Sequence, residues 1–457
     1  MKSLLPKQTT RNSLILSQRE SVASSLMTGT CDQYINAFAV FLGASSVQIG
    51  WLVALPQLLG SFCQIITIWL GQFIHRHRLI VRGAALQVIA LVFIVLSGLP
   101  GVLPYPLLWL LAAVAVFQVG GNLVLPHWRA WMGMLVPDRL RGRFFGRRTR
   151  IAMITSLFAF VAGGGVLSVG DYYQLAWSGF VVLFSIAALG RLQSTIYLAR
   201  MSDIDYTPTV YHRNLWALLT HMQALWADKD FRRFSLFMAA MQSFVALSGP
   251  FFAVYMLRDL QFDYWQFTAN TAASILVQFL MLPFWGKVCD KKGNRYVMAI
   301  GVSIIPILPV LWLFSDNAVY LITVQMLAGL AWSGFSLAAS NYLYDLRPRH
   351  VYFATYSAIH SALGAVAVCL GAVAGGYLIE WVPEHIAIAG LSISIERPIA
   401  VIFIISALLR AGTALWYMPT APELRVKKRG RVRDLIYRIV RFTPISGVML
   451  DVINRRR

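Results

Sequence analysis

Long apolar stretches separated by short polar ones recur along the whole 457-residue chain. A helix needs about 20 mostly apolar residues to cross the hydrocarbon of a bilayer. Windows of that kind fall at roughly 22–43, 48–74, 79–100, 105–128, 150–169 and 175–198, then at 234–256, 266–286, 296–315, 318–343, 353–379 and 398–417. With 58% hydrophobic and 13% charged residues, a soluble domain would expose too much apolar surface. The expected fold is an all-α polytopic membrane protein of twelve transmembrane helices in two six-helix repeated halves. The first window is the least apolar, carrying Thr28, Thr30, Asp32, Gln33 and Asn36.

The net charge is +21, but the cations sit in alternate loops and both tails. One set runs from Lys2 to Arg19, through Arg76, Arg78 and Arg82, and through Arg129 to Arg150. It continues from Arg200 to Arg233, past Lys291, Arg347 and Arg349, to eleven cations between Arg425 and Arg457. The opposite loops hold only Arg258 and Arg397, with Asp171, Asp259, Asp263, Asp316, Glu380, Glu384 and Glu396. This is the positive-inside asymmetry of a membrane protein, not a nucleic-acid surface. Both termini are expected to be cytoplasmic, in a bacterial inner membrane, with anionic lipid at the basic loops and tail. No short apolar core with a small-residue cleavage site appears before Glu20, so no removable signal peptide is expected.

The only long polar stretch inside the chain, 199–233, divides the windows six and six. It reads as a cytoplasmic linker in which Leu215–Trp226 is a candidate surface helix. The domains are therefore a 1–20 segment, halves at 21–198 and 234–417, and a basic tail at 418–457. In the tail, Leu435, Ile436, Ile439 and Val440 share a helical face, as a surface helix or a disordered topogenic tail would allow. Four matches support a repeat: Ala162 with Ala374 (AGGG and AGGY), Pro137 with Pro348, Ala39 with Ala253, and Gly71 with Gly286. Their offsets are 212, 211, 214 and 215 residues.

The stretch Gly286–Arg295, GKVCDKKGNR, is expected to be a short polar loop at a membrane face. With its glycines, aspartate and cations at these spacings, it resembles a loop of the major facilitator superfamily of secondary transporters. The match lies at Gly286, Asp290, Lys291, Gly293 and Arg295, with Asn294 replacing a cation. The segment from Pro137 to Arg143, followed by Gly146, Arg147 and Arg148, resembles that family's fourth–fifth loop. The second–third loop keeps Gly71 and Arg76, with His75 where the acid belongs and Arg78 where the second glycine belongs. Twelve spans in two halves resemble the family too. The family's fourth-span arginine is missing between Tyr105 and His127, AGGG lacks the Gly-Pro pair of antiporters, and sugar-porter signatures are absent. The subfamily is therefore left unassigned.

The resemblance implies rocker-switch transport, with gating residues Gly71, Arg76, Arg141, Arg143, Gly286, Asp290, Lys291, Gly293 and Arg295. It places Asp290 against the start of the fifth span, where Arg147, Arg148 and Arg150 are extra partners. It also implies that the first, fourth, seventh and tenth spans line a central cavity.

Thr28, Asp32 and Asn36 recur every four residues and so share a helix face. Asp32 is the only acid deep inside any window as drawn, and such a group faces a cavity or a partner. It reads as a protonation site or cation ligand, or as a permanent partner of a hydroxyl or amide. Gln118 and Asn122 share a face of the fourth span, Gln242 sits in the middle of the seventh, and Gln325 and Trp332 share a face of the tenth. Together they suggest a substrate pocket; the plainer reading of each amide is interhelical glue. Trp128 and Trp131 read as interfacial anchors. Pro56, Pro250, Pro283, Pro306 and Pro309 read as helix bends, and His360 as a packed histidine.

No phosphate-binding loop, metal-spaced His/Cys cluster or nucleophile–base pair is found, so neither an enzyme nor a cofactor is expected. The four cysteines read as packing residues. With no Arg or Lys at mid-depth in a cavity helix, the substrate is expected to be a neutral or cationic organic solute. Transport would be driven by protons through Asp32 or by the substrate gradient alone, and efflux and uptake are equally open. A monomer is expected. The competing class is a non-transporting sensor or scaffold of the same fold, acting through its linker and tail.

Overall fold

The computed structural model describes residues 7–70, 74–136, 141–202, 226, 228–346, 353–383, 385–388, 391–394 and 397–422. The first span is Lys7–Cys31, a turn at 32–34, and Ile35–Phe41. The second to sixth are Ser46–Leu70, Arg76–Ser97, Pro106–Leu135, Arg141–Tyr172 and Ala176–Arg200. The seventh is Lys229–Ala246, a turn at 247–250, Phe251–Val254 and a π-helical turn Tyr255–Asp259. The eighth is Tyr264–Lys292, and the ninth is Asn294–Ile304 with Ile307–Leu311. The tenth to twelfth are Ala318–Asp345, Phe353–Trp381 and Pro398–Tyr417. Among the described residues, eleven spans are long and apolar enough to cross a membrane. The first is the exception, because its helix is too polar.

Two expectations are corrected. The first helix begins at Lys7, not near residue 22. Its earlier turns carry Ser13, Ser17, Ser21 and Ser25, all buried. Small side chains at four-residue spacing let helices approach closely, although a hydropathy window scores them as polar. The loop expected at 286–295 shrinks to one residue, because Trp285, Val288 and Cys289 are buried at helical spacing and carry the eighth span to Lys292. Gly293, at φ 93°, then turns the chain directly into the ninth span. The all-α fold holds, with one small antiparallel hairpin, His385–Ile388 with Leu391–Ser394, before the twelfth span. Its alternating Ile and small polar residues around Ala389-Gly390 carry the strand signal.

The repeat is visible in the packing. The first span packs on the fifth and sixth, the second and third on the fourth, and the third on the sixth. In the second half, the seventh packs on the eleventh and twelfth, the eighth and ninth on the tenth, and the ninth on the twelfth. The halves meet along two seams, second with eleventh and fifth with eighth. Glycines 212 residues apart serve this packing, Gly163 and Gly375 within the halves and Gly164 and Gly376 at the seams. A Cβ at Gly163 would press on Tyr34 and one at Gly164 would overlap Thr268. Likewise Gly375 meets Leu247 and Phe251, and Gly376 meets Ser46 and Val47.

We call the face bearing the acidic loops outer and the opposite face inner. The seam contacts at Gly50, Gly164 and Gly376, and the touching outer ends of the first and seventh spans, lie toward the outer face. The form described is therefore closed on that side. Gly71, the 137–140 loop, Arg347, Arg349, most of the linker with its candidate surface helix, and the tail beyond Pro422 lie outside the described residues. So do the side chains of Arg141 and Arg143, whose backbone opens the fifth span.

Candidate functional site

The first and seventh spans are both interrupted, at Asp32–Tyr34 and Leu247–Pro250, which are equivalent positions of the repeat. A broken helix leaves its last carbonyls without intrahelical donors, and its C-terminal end carries partial negative charge. The two halves meet this cost differently. At the seventh-span break, Arg410 of the twelfth span is buried and donates from Nη2 to Ser248 Oγ at 2.6 Å and to the Val245 carbonyl at 3.4 Å. Its Nε reaches the Phe244 carbonyl at 3.4 Å, which also accepts from Ser406 Oγ at 2.5 Å. A guanidinium thus caps the half-helix, and among the described residues no carboxylate pairs with it.

At the first-span break the residue at the helix end is itself an acid. Asp32 is exposed although it lies well inside the span. Its backbone amide donates to the Thr28 carbonyl at 3.2 Å. Its carboxylate has no hydrogen-bond or ion-pair partner among the described residues. The permanent hydroxyl or amide partner considered from sequence is not found. Gln33 beside it is also exposed.

Against the seventh-span break lies a cavity of about 340 Å³. Asn36 borders it one turn beyond Asp32, with Gln242, Gly249 and Pro250 of the seventh span and Trp332 and Phe335 of the tenth. The Trp332 and Phe335 rings meet edge to face, centroids 5.8 Å apart. Three of the residues expected in the pocket, Asn36, Gln242 and Trp332, are therefore brought together. Gln118 and Asn122 are not among its lining. They pack on Gly60 of the second span, and Asn122 Nδ2 donates to the Gln118 carbonyl at 2.9 Å. Gln325 is half-buried on the tenth span, outside the cavity lining.

At the inner face, Arg76 opens the third span and Asp290 and Lys291 are exposed at the end of the eighth. Gly286 has open space where a side chain would point. Arg295 donates to the Met418 carbonyl at 3.0 Å, and Asn294 Nδ2 donates to Asp345 Oδ2 at 2.6 Å. Both bonds stay within the second half. Arg148, expected near Asp290, instead binds Glu20 at 2.6 Å and lies 4.2 Å over the Trp128 ring.

Glu20, just ahead of the 22–43 window, is a buried acid of the first helix. Ser194 Oγ donates to Glu20 at 3.1 Å and accepts from Arg191 Nη1 at 3.0 Å. Trp131, expected at the interface, is fully buried with Ile80, Met132 and Leu135, and His77 meets its ring edge to face. His360 is packed as expected, stacked on Phe234 and bonded to Ser235 Oγ at 3.2 Å. Tyr34 and Arg410 were missed as site residues. The sequence places them in spans without partners, which only the fold supplies.

Two six-helix halves, broken lead helices and a cavity between them define a membrane transporter architecture. The sequence profile of the Major Facilitator Superfamily matches residues 233–456. The fold is shared across the whole chain with solved transporters. A mutant form of the nucleoside transporter NupG is 13% identical, with a TM-score of 0.68, covering 90% of this chain and 99% of that one. A D-xylose-proton symporter is 13% identical, with a TM-score of 0.66, covering 92% and 99%. A POT family transporter in complex with 5-aminolevulinic acid is 14% identical, with a TM-score of 0.66, covering 92% and 97%. No curated protein matches the chain. The family profile thus covers the second half of the chain, the fold is that of these solved transporters, and the eleven apolar spans mark an integral membrane protein.

Proposed function

We propose that the chain is a secondary transporter of a small neutral or cationic organic solute, working by rocker-switch alternating access with Asp32 as the proton-accepting group. The observation that carries this reading is an unpartnered carboxylate at a broken helix end, one helical turn from Asn36, which borders a cavity of amides and aromatic rings. Broken helices at the interface of two repeats are where transporters bind solute and coupling ion. An acid held in a membrane interior without a cation is suited to take up a proton or a positive charge. Asn36, Gln242 and Trp332 would contact the solute. Gln118, Asn122 and Gln325 would act at the cavity wall when the halves rearrange.

The rocking bodies would be 21–198 and 234–417, joined by the 199–233 linker. Both termini would face the cytoplasm of a bacterial cell, and the basic inner loops and tail of the monomer would rest on anionic lipid. Gly71, Arg76, Arg141, Arg143, Gly286, Asp290, Lys291, Gly293 and Arg295 would form the inner gate. In that gate Asp290 meets the cationic start of the fifth span.

The test is uptake into proteoliposomes of labelled nucleosides, pentoses and small amino acids, with and without an imposed proton gradient. One solute should accumulate on the gradient, and Asp32→Asn should abolish accumulation while leaving exchange across the membrane. Gradient-driven accumulation that survives Asp32→Asn would remove Asp32 from the mechanism.

A further inference from the structure

The geometry points to Tyr34 as the positioning residue that ties the first-span break to the outer seal between the halves. This rests on the alternating-access reading above. Tyr34 is the last residue of the Asp32–Tyr34 turn, and its side chain is fully buried. Its ring lies 4.9 Å from Phe160 of the fifth span and 6.3 Å from Phe267 of the eighth. Its hydroxyl donates to the Phe160 carbonyl at 2.6 Å, which uses its one proton. Thr268 Oγ1 of the eighth span, 3.1 Å away, must therefore be the donor of the second bond. The chain Thr268–Tyr34–Phe160 thus crosses from the second half to the first. Gly163 and Gly164 leave the room it needs, since a side chain at either would press on Tyr34 or Thr268.

The other seam has a weaker counterpart, where the Val47 amide donates to Glu380 Oε1 at 3.2 Å. That contact is exposed and competes with water, whereas the Tyr34 bonds are buried and must be made or fully broken. This all-or-none character makes the seam a two-state element.

The link to Asp32 is covalent and short. Asp32 and Tyr34 share a turn outside the regular helix, in which the Tyr34 amide donates to the Cys31 carbonyl at 3.0 Å. An ionised carboxylate at a helix C-terminus is repelled by the carbonyl end, and neutralising it removes that repulsion. The turn relaxes when Asp32 is neutralised, and the relaxation reaches the Tyr34 hydroxyl directly.

The experiment places a reporter cysteine at Val53, which lines the cavity below the seal. Cys63 and Cys369 are replaced by Ser, buried Cys31 and Cys289 are kept, and the chain without the reporter is the blank. A membrane-impermeant maleimide is added from either face of oriented vesicles. The parent should label quickly from the inner face and slowly from the outer; the reverse would put the Tyr34 seal on the other face and overturn the inference as written. Tyr34→Phe keeps the ring and removes only the hydroxyl. It should raise outer labelling about five-fold, the population shift expected of one hydrogen bond. Thr268→Val should act alike, the double variant should add nothing further, and Thr268→Ser should restore the parent rate. If Tyr34→Phe does not fold, the Thr268 pair alone decides. Asp32→Asn should change outer labelling in the parent but not in Tyr34→Phe. Unchanged labelling in Tyr34→Phe, multiplicative effects of the two seam variants, or an Asp32→Asn effect of equal size in both backgrounds would each overturn the proposal.

Discussion

The interruptions of the first and seventh spans occupy equivalent places in the two halves but are chemically opposite. The seventh ends its half-helix on a buried guanidinium with three hydrogen-bonded neighbours at the break, Ser248, Val245 and Phe244. The first ends on a carboxylate that nothing in the described structure neutralises. A repeat that solves one geometric problem twice has fixed one break and left the other responsive. Cations do cluster on the first span, but lower down, where Arg148 binds Glu20 directly and Arg191 reaches it through Ser194.

Substitutions can break or sharpen this contrast. Arg410→Leu should have the largest effect on stability, costing roughly 3 kcal/mol, because bonds from a charged donor are lost and buried acceptors are orphaned. Arg410→Lys should recover part of that loss in thermal unfolding of the purified protein. An unaltered melting temperature in Arg410→Leu would mean that the seventh-span break is not clamped. Glu20→Gln should cost about 1.5 kcal/mol, since the Arg148 ion pair is lost while amide hydrogen bonding remains. Asp32→Asn should change stability by no more than about 0.5 kcal/mol, because no partner is removed. A large loss there would reveal a partner and erase the contrast.

A similarly small effect is expected at the outer end of the seventh span. Arg397 makes two 2.7 Å bonds to Asp316 and one of 3.1 Å to Tyr255. The Arg397 hydrogen bond holds the Asp316 carboxyl below its ordinary value. A depressed carboxylate stabilises the fold above its unfolded value and loses that contribution as pH falls through the folded one. The pair should therefore be intact at neutral pH and fail only below the usual carboxylate range. Because both groups are substantially exposed, Asp316→Asn should cost only about 0.5 kcal/mol at pH 7. A pH-independent difference between the two proteins would rule out the ion pair as its cause.

Much of this architecture is legible in the sequence, for a reason particular to membranes. Apolar windows and loop charges report directly on spans and sides, and glycine matches 212 residues apart mark the seams. Helical spacing, however, fixes which residues share a face but not where that face points. Gln118 and Asn122 share a face as expected, yet it meets Gly60 of the second span. Asn36, Gln242 and Trp332 belong to three spans whose faces do converge. The start of the first helix was hidden because its buried face is serine. Arg410 was visible as a cation inside a span, but its partners are backbone carbonyls, which no side-chain pattern announces.

Amide hydrogen exchange, followed by mass spectrometry on the protein in lipid nanodiscs, tests the contrast most directly. Exchange rises where local opening is cheap. The amides of Asp32–Ile35 should exchange faster than those of Leu247–Gly249, and Arg410→Leu should bring the second group up toward the first. Equal protection of the two breaks in the unaltered protein, or faster exchange at the seventh, would contradict the account.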